Sequence, residues 1–210
     1  MKTRPTRALT LLLLFYPLVC SAQILFDGSL ETALNQQGWA YLTNPLFGAQ
    51  ASQTVNPSGT LLDTRAPIGE QAGYFSFNLP GNILINSNES FGLRFIVNLR
   101  DEQHTSENRA GFSVLVIDQQ LRAIELGFWK NRIWAQHDDP LFTQAESTEF
   151  YTQSETHYYL YLLQEHYHLF ANNQLILQGD LRDYTAFNSN IDPYETANLI
   201  FLGDNTGAAG

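Results

Sequence analysis

The 210-residue sequence predicts an all-β fold, an antiparallel two-sheet sandwich, and three observations carry that expectation. Phe91 to Leu99 alternates strictly: Phe91, Leu93, Phe95, Val97 and Leu99 point one way, and Gly92, Arg94, Ile96 and Asn98 the other. That is the pattern of a strand with one buried and one more polar face. Gly111 to Gln136 holds three strand-length runs, Gly111 to Asp118, Ala123 to Trp129 and Arg132 to Gln136, each rich in β-branched or aromatic residues and bounded by polar turns. Across the rest of the chain many short strands recur between turn signals, with no long helical interlude, fixed-period repeat or low-complexity segment.

The stretch 111–136 organises the rest. Its last two runs form a hairpin through Lys130-Asn131, with Asn131 accommodating a positive φ. In that register Trp129 faces Arg132, Gly127 faces Trp134 and Glu125 faces Gln136. Side chains alternate along a strand, so Ile124, Leu126, Phe128, Ile133 and Ala135 form a core face. Glu125, Trp129, Arg132, Trp134 and Gln136 form the other, and Gly127 leaves room beside the Trp134 ring. Two indoles among a carboxylate, a guanidinium and an amide suit a sugar ring stacked in an open groove. Amphipathic packing beneath a covering loop is the plainer reading of the same face, and the favoured one.

The other elements follow in order. Ile24 to Asp27 suits an opening strand, Leu30 to Gln37 a helical turn or loop, and Gly38 to Leu42 a second strand. Ala51 to Val55 and Thr60 to Asp63 are divided by the turn Asn56-Pro57-Ser58-Gly59, and Gly73 to Phe77 alternates before Pro80-Gly81. Arg100 to Arg109 reads as a charged loop, and His137 to Thr156 as an acidic one. Tyr158 to Leu163 and His166 to Ala171 pair about Gln164-Glu165, setting Leu160, Leu162 and Leu169 on one face and Tyr161 opposite His168. Gln174 to Gln178 pairs back through Asn172-Asn173, a type I′ candidate, and Asn198 to Leu202 is the last visible strand.

Residues 1–22 read as a secretory signal, because Lys2, Arg4 and Arg7 precede the apolar run Ala8 to Val19 and Cys20-Ser21-Ala22 offers small residues for cleavage. The run is too short and too early for a transmembrane span. Lipid attachment to Cys20 is the alternative, with bulky Val19 where such signals want a small residue. Residues 23–210 are then one domain, expected outside the cell or at its surface. Cleavage removes the single cysteine, so stability must come from the core rather than from disulfides. A chain of that length buries roughly 70% of its unfolded surface. Cleavage also leaves 8 of the 11 Lys and Arg against 21 Asp and Glu, a formal charge of −13, which disfavours nucleic acid and anionic membranes as partners.

The succession FGLRFIVNL, RAGFSVLVID, AIELGFW, RIWAQ, YLYLLQEHYHLFANNQLIL and LIFLGDN resembles the concanavalin A-like jelly rolls, a fold shared by laminin G domains, legume lectins and several glycan-cleaving enzymes. More narrowly, RAGFSVLVID, IELGFW, IWAQ with PLFTQAE, and FLGDN are similar to secreted bacterial proteins of unknown role that often carry a C-terminal sorting anchor. The resemblance covers most of residues 24–206 and implies a jelly-roll sandwich. It also implies one more strand after FLGDN, pairing near the N-terminal strand. By that measure residues 1–210 lack the last strand, and Ile24 to Asp27 is expected to expose an edge.

Little in the sequence predicts catalysis. A retaining glycosidase needs two carboxylates roughly 5 Å apart, and Glu125-Leu126-Gly127 has glycine where the same-face partner would stand. No clustered Arg, Gln, His and Tyr run points to a lyase, and no nucleophile elbow or phosphate-binding glycine loop occurs. His166 and His168 share a strand face, as zinc or copper ligands would, without an evident third ligand. Asp138-Asp139 and Asp204-Asn205 supply calcium-type oxygen donors without EF-hand spacing, so the expected cofactor is none, with calcium the alternative. Asn88-Glu89-Ser90 is a glycosylation sequon by pattern. The expectation is therefore a secreted, non-catalytic module binding carbohydrate or another extracellular polymer through Glu125, Trp129, Arg132, Trp134 and Gln136. The alternatives are a structural or adhesive surface protein without sugar binding and, third, a glycan-active enzyme.

Overall fold

The computed structural model describes residues 22–65, 69–77, 79–189 and 192–210. The expected signal segment lies outside the described residues apart from Ala22. Among the described residues thirteen strands form the fold: β1 (Ala40–Asn44), β2 (Ser52–Asn56), β3 (Gly59–Asp63), β4 (Gln71–Ser76), β5 (Phe91–Val97), β6 (Phe112–Ile117), β7 (Ala123–Trp129), β8 (Arg132–Asp138), β9 (Leu141–Glu149), β10 (Thr156–Leu163), β11 (His166–Ala171), β12 (Gln174–Asp180) and β13 (Leu199–Asp204). All pair antiparallel. A seven-stranded sheet runs β1-β4-β13-β6-β7-β8-β9, a four-stranded sheet runs β12-β11-β10-β5, and β2 and β3 form a separate hairpin. The fold is a two-sheet β-sandwich.

Alternation explains how the sheets close on each other. Ile124, Leu126, Phe128, Ile133 and Ala135 of the large sheet share one core with Leu93, Leu160, Leu162, Leu169 and Leu177 of the small one. Phe128 meets Tyr158 edge-on at 5.5 Å and Phe112 at 5.4 Å, so aromatic edges fill the space between sheets. Burial holds the Tyr158 phenol protonated, with its pKa pushed up to about 12. One side of the sandwich is clasped by Glu146 on β9, which accepts from the Tyr167 hydroxyl at 3.2 Å and pairs with Arg182.

The β7–β8 hairpin has the expected register, Trp129 opposite Arg132 and Gly127 opposite Trp134. Its turn is made differently, because neither Lys130 nor Asn131 has a positive φ. Their carbonyls instead accept from Thr152 N at 3.1 Å and Phe150 N at 3.0 Å, so the chain beyond β9 holds the turn. The turns at Gln164-Glu165 and Asn172-Asn173 do put both residues at positive φ, as two-residue hairpins favour.

Two expectations are corrected. Ile24 to Asp27 is not a strand: Asp27 caps the 3-10 turn Gly28–Leu30 by accepting from Ser29 N at 2.9 Å, and Leu25 O accepts from the Trp39 indole at 2.9 Å. Capping and anchoring of the side chains prevail over β propensity there, and the bare opening edge does not form. The segment 137–156 is not a loop, since β8 continues to Asp138 and Leu141–Glu149 forms the edge strand β9. Two register shifts between β8 and β9 break its alternation and hide it from pattern reading. Near the C-terminus, Gly210 and Gln103 exchange backbone hydrogen bonds of 2.9 and 2.8 Å, and Thr105 N donates to Ala208 O at 2.8 Å. This ties residues 208–210 to the loop before β6.

Candidate functional site

The β7–β8 face that the sequence marks as a groove is closed. Glu125, Trp134 and Gln136 are 0% exposed and Trp129 is 7% exposed, while Arg132 is half-buried. Two segments far away in sequence form the roof. From the loop 102–110, the His104 ring stacks on Trp129 at 4.1 Å and 10°, Arg109 O accepts from Trp129 Nε1 at 3.0 Å, and Asn108 O accepts from Gln136 Nε2 at 3.0 Å. From the connection between β12 and β13, Tyr184 and Tyr194 pack with Leu115, Ile117, Ala123 and Phe201 into a second apolar cluster on the outer side of the large sheet, joined by Phe142 and Phe187.

Glu125 lies in the middle of this roofed face. Tyr194 donates to Glu125 Oε2 at 2.5 Å, Asn205 Nδ2 donates to Oε1 at 3.0 Å, and Arg109 Nη2 lies 3.7 Å from Oε1. Burial, and then the Glu125 charge, push the Tyr194 phenol far above its usual range, so the shared proton stays on the tyrosine. Tyr184 is shifted upward for the same two reasons and donates to Gln136 O at 2.7 Å. A buried carboxylate compensated by three side chains is a structural polar cluster. The Trp134 ring lies flat over Gly127, where a Cβ would fall 2.6 Å from it, so the glycine sets the depth of the indole. Arg132 reaches over Trp129 at 5.9 Å and donates weakly to Gln144 at 3.4 Å. The five expected residues are brought together, but as the floor of a covered layer. The covering-loop reading describes them.

The opposite side of the molecule is open. On the outer face of the four-stranded sheet, the register aligns Arg94, Tyr159, Phe170 and Leu175 in one row, and Gly92, Tyr161, His168 and Gln178 in the next. Arg94, Ile96, His157, His166, Leu175 and Gln178 are exposed, and Tyr159, Tyr161, His168 and Phe170 are half-buried. Ring centroids lie 5.9 Å apart for Tyr159 and Tyr161, 6.1 Å for Tyr159 and Phe170, and 6.4 Å for Tyr161 and His168. A Cβ at Gly92 would meet the Tyr159 hydroxyl at 2.6 Å, so glycine there lets the ring lie down along the sheet. Arg94 stands 5.1 Å from the Tyr159 ring centre. Beyond the rings lies a shallow depression of about 390 Å³ lined by His166, Tyr167, His168, Gln178, Gly179 and Asp180. His168 Nδ1 is buried beside it with no hydrogen-bond partner among the described residues.

His166 Nδ1 pairs with Asp180 at 2.7 Å, and no three His, Cys, Asp or Glu side chains among the described residues converge to hold an ion. Asp138 and Asp204 serve the backbone, accepting from Asp183 N at 3.1 Å and Thr206 N at 3.0 Å. No helix among the described residues is long and apolar enough to cross a membrane. Comparison with protein-family models and with curated proteins gives no match.

The aromatic outer face was not singled out from sequence, although its signal was present. Gly92 and Arg94 alternate outward on β5, and Tyr159, Tyr161, His168 and Phe170 take the outward positions of the next two strands. Three large rings together on one outward face are more than the scattered apolar residues of an ordinary wet surface.

Proposed function

We propose that this chain is an exported, non-catalytic β-sandwich module that binds carbohydrate, and that its binding surface is the outer face of the four-stranded sheet. The observation that carries this reading is the solvent-facing cluster of Tyr159, Tyr161 and Phe170 beside a hollow edged by His166, His168 and Gln178. Aromatic rings accept the apolar face of a pyranose, while nitrogen and amide groups at the rim answer its hydroxyls. Export rests on the signal-like sequence of residues 1–22. A non-catalytic role accords with Glu125 being spent on the roof and with glycine at its same-face neighbour position.

Size favours a glycan over a folded protein partner. At about 3.3 Å per residue and 4.8 Å per strand the face covers roughly 400 Å², against the roughly 800 Å² per partner that a stable protein complex buries. Retention on insoluble polysaccharides tests the proposal. Wild type is expected to be retained by at least one, and Tyr161→Ala to weaken that binding about three- to tenfold with unchanged thermal unfolding. Passage of the wild type through every polysaccharide tested overturns the reading.

A further inference from the structure

We infer that the glycan recognised by the outer face is acidic, a polymer of uronic acid units whose carboxylates are met by Arg94 while their rings lie on Tyr161 and Phe170. The inference rests on the carbohydrate-binding reading above and adds the ligand's charge. It starts from an imbalance. The whole chain carries 21 Asp and Glu against 11 Lys and Arg, yet the outer face of this sheet presents Arg94 and three of the five histidines, His157, His166 and His168. Among its outward strand positions the one carboxylate is Asp180, which is already engaged by His166 at 2.7 Å. Most of the acidic surplus therefore lies elsewhere, and an anion meets little like charge on this face.

Arg94 is the residue that makes use of this. It is exposed, forms no ion pair among the described residues, and is held 5.1 Å from the Tyr159 ring centre. A guanidinium offers a planar fork of donors matched to a carboxylate. A sugar ring lying on Phe170, whose centroid is 6.1 Å from that of Tyr159, puts a carboxylate borne on that ring beside the fork that lies over Tyr159. A neutral hexose in the same place leaves the guanidinium with hydroxyls only. Arg65 shows the contrast: it is occupied by Asp63 and Asp101, each at 2.8 Å, and Lys130 is held by Asp101 at 2.6 Å. Those cations have internal partners, whereas Arg94 faces outward beside a stacking platform.

The test compares an oligogalacturonate with its fully methyl-esterified form, which keeps the rings and removes the charge. Calorimetric titration of the full chain is expected to show about tenfold tighter binding of the acid than of the ester. Arg94→Gln is expected to bring the two to equal affinity, and raised salt to narrow the gap in the wild type. Tyr161→Ala is expected to weaken both ligands alike, which separates stacking from charge. Equal affinity of the wild type for acid and ester overturns the acidic assignment while leaving a carbohydrate-binding module standing. Failure to bind either oligogalacturonate or its ester, with retention on neutral polysaccharides, likewise overturns only the assignment. No retention on any glycan removes both. An undiminished preference for the acid in Arg94→Gln overturns the role given to that residue.

Discussion

The two outward faces of this sandwich are written in similar residues and have opposite fates. On β7 and β8 the face is Glu125, Trp129, Arg132, Trp134 and Gln136; on β5, β10 and β11 it is Arg94, Tyr159, Tyr161, His168 and Phe170. Both mix aromatic rings with polar groups and both follow strict alternation. The first is roofed by the loop 102–110 and by Tyr184, Phe187, Tyr194 and Asn205, and the second stays in solvent. Whether such a face is a site or a second core depends on what the intervening loops bring over it, so composition alone does not discriminate between them.

Substitutions sharpen the contrast. The largest effect is expected from Trp134→Ala, which empties a fully enclosed indole position and costs about 3–5 kcal/mol; chemical denaturation reads it directly, and a loss below about 1 kcal/mol would mean that the roof does not seal the face. Next is a pH effect at the end of β13 in the roofed sheet. Burial pushes the Asp204 carboxyl up to about 8, above its value in an unfolded chain. The group's favourable contribution is thus present below about pH 4 and is lost as the pH rises toward 8. Asp204→Asn has no proton to lose, so its stability relative to wild type should improve between pH 4 and pH 8 by on the order of a few kcal/mol. An unchanged difference across that range would place Asp204 in water. Glu125→Gln, which keeps the shape but removes the charge facing Arg109 and Tyr194, is expected to cost about 1–3 kcal/mol. It should not alter glycan retention. At the other extreme Tyr161→Ala on the open face is expected to change stability by less than about 0.5 kcal/mol while weakening binding.

Much of the scaffold was legible because it is local. The β7–β8 register follows from alternation and a two-residue connection, and the pairing of Tyr161 with His168 follows from the turn at Gln164-Glu165. The roof was not legible, because Glu125 finds Tyr194 and Asn205 at separations of 69 and 80 residues, through segments with no periodicity. A hint did exist: Tyr184, Phe187 and Tyr194 are a dense set of large rings for an exposed connection, and all three turned inward. Strand β9 was hidden by its register shifts, and Ile24 to Asp27 by the capping role of Asp27. The site expected at the hairpin was misplaced for one reason. Alternation states which residues share a side but not what lies above them.

Roofing leaves β7 with every residue buried and β6 nearly so. These strands have no wet side, so almost any substitution in them disturbs one packed layer or the other. On the binding proposed above, variation in the ligand is channelled to β5, β10 and β11, whose outward side chains lie off the core shared by the two sheets. Gly92 is the narrowest of those positions: a Cβ there would fall 2.6 Å from the Tyr159 hydroxyl, so any side chain displaces that ring from its place along the sheet.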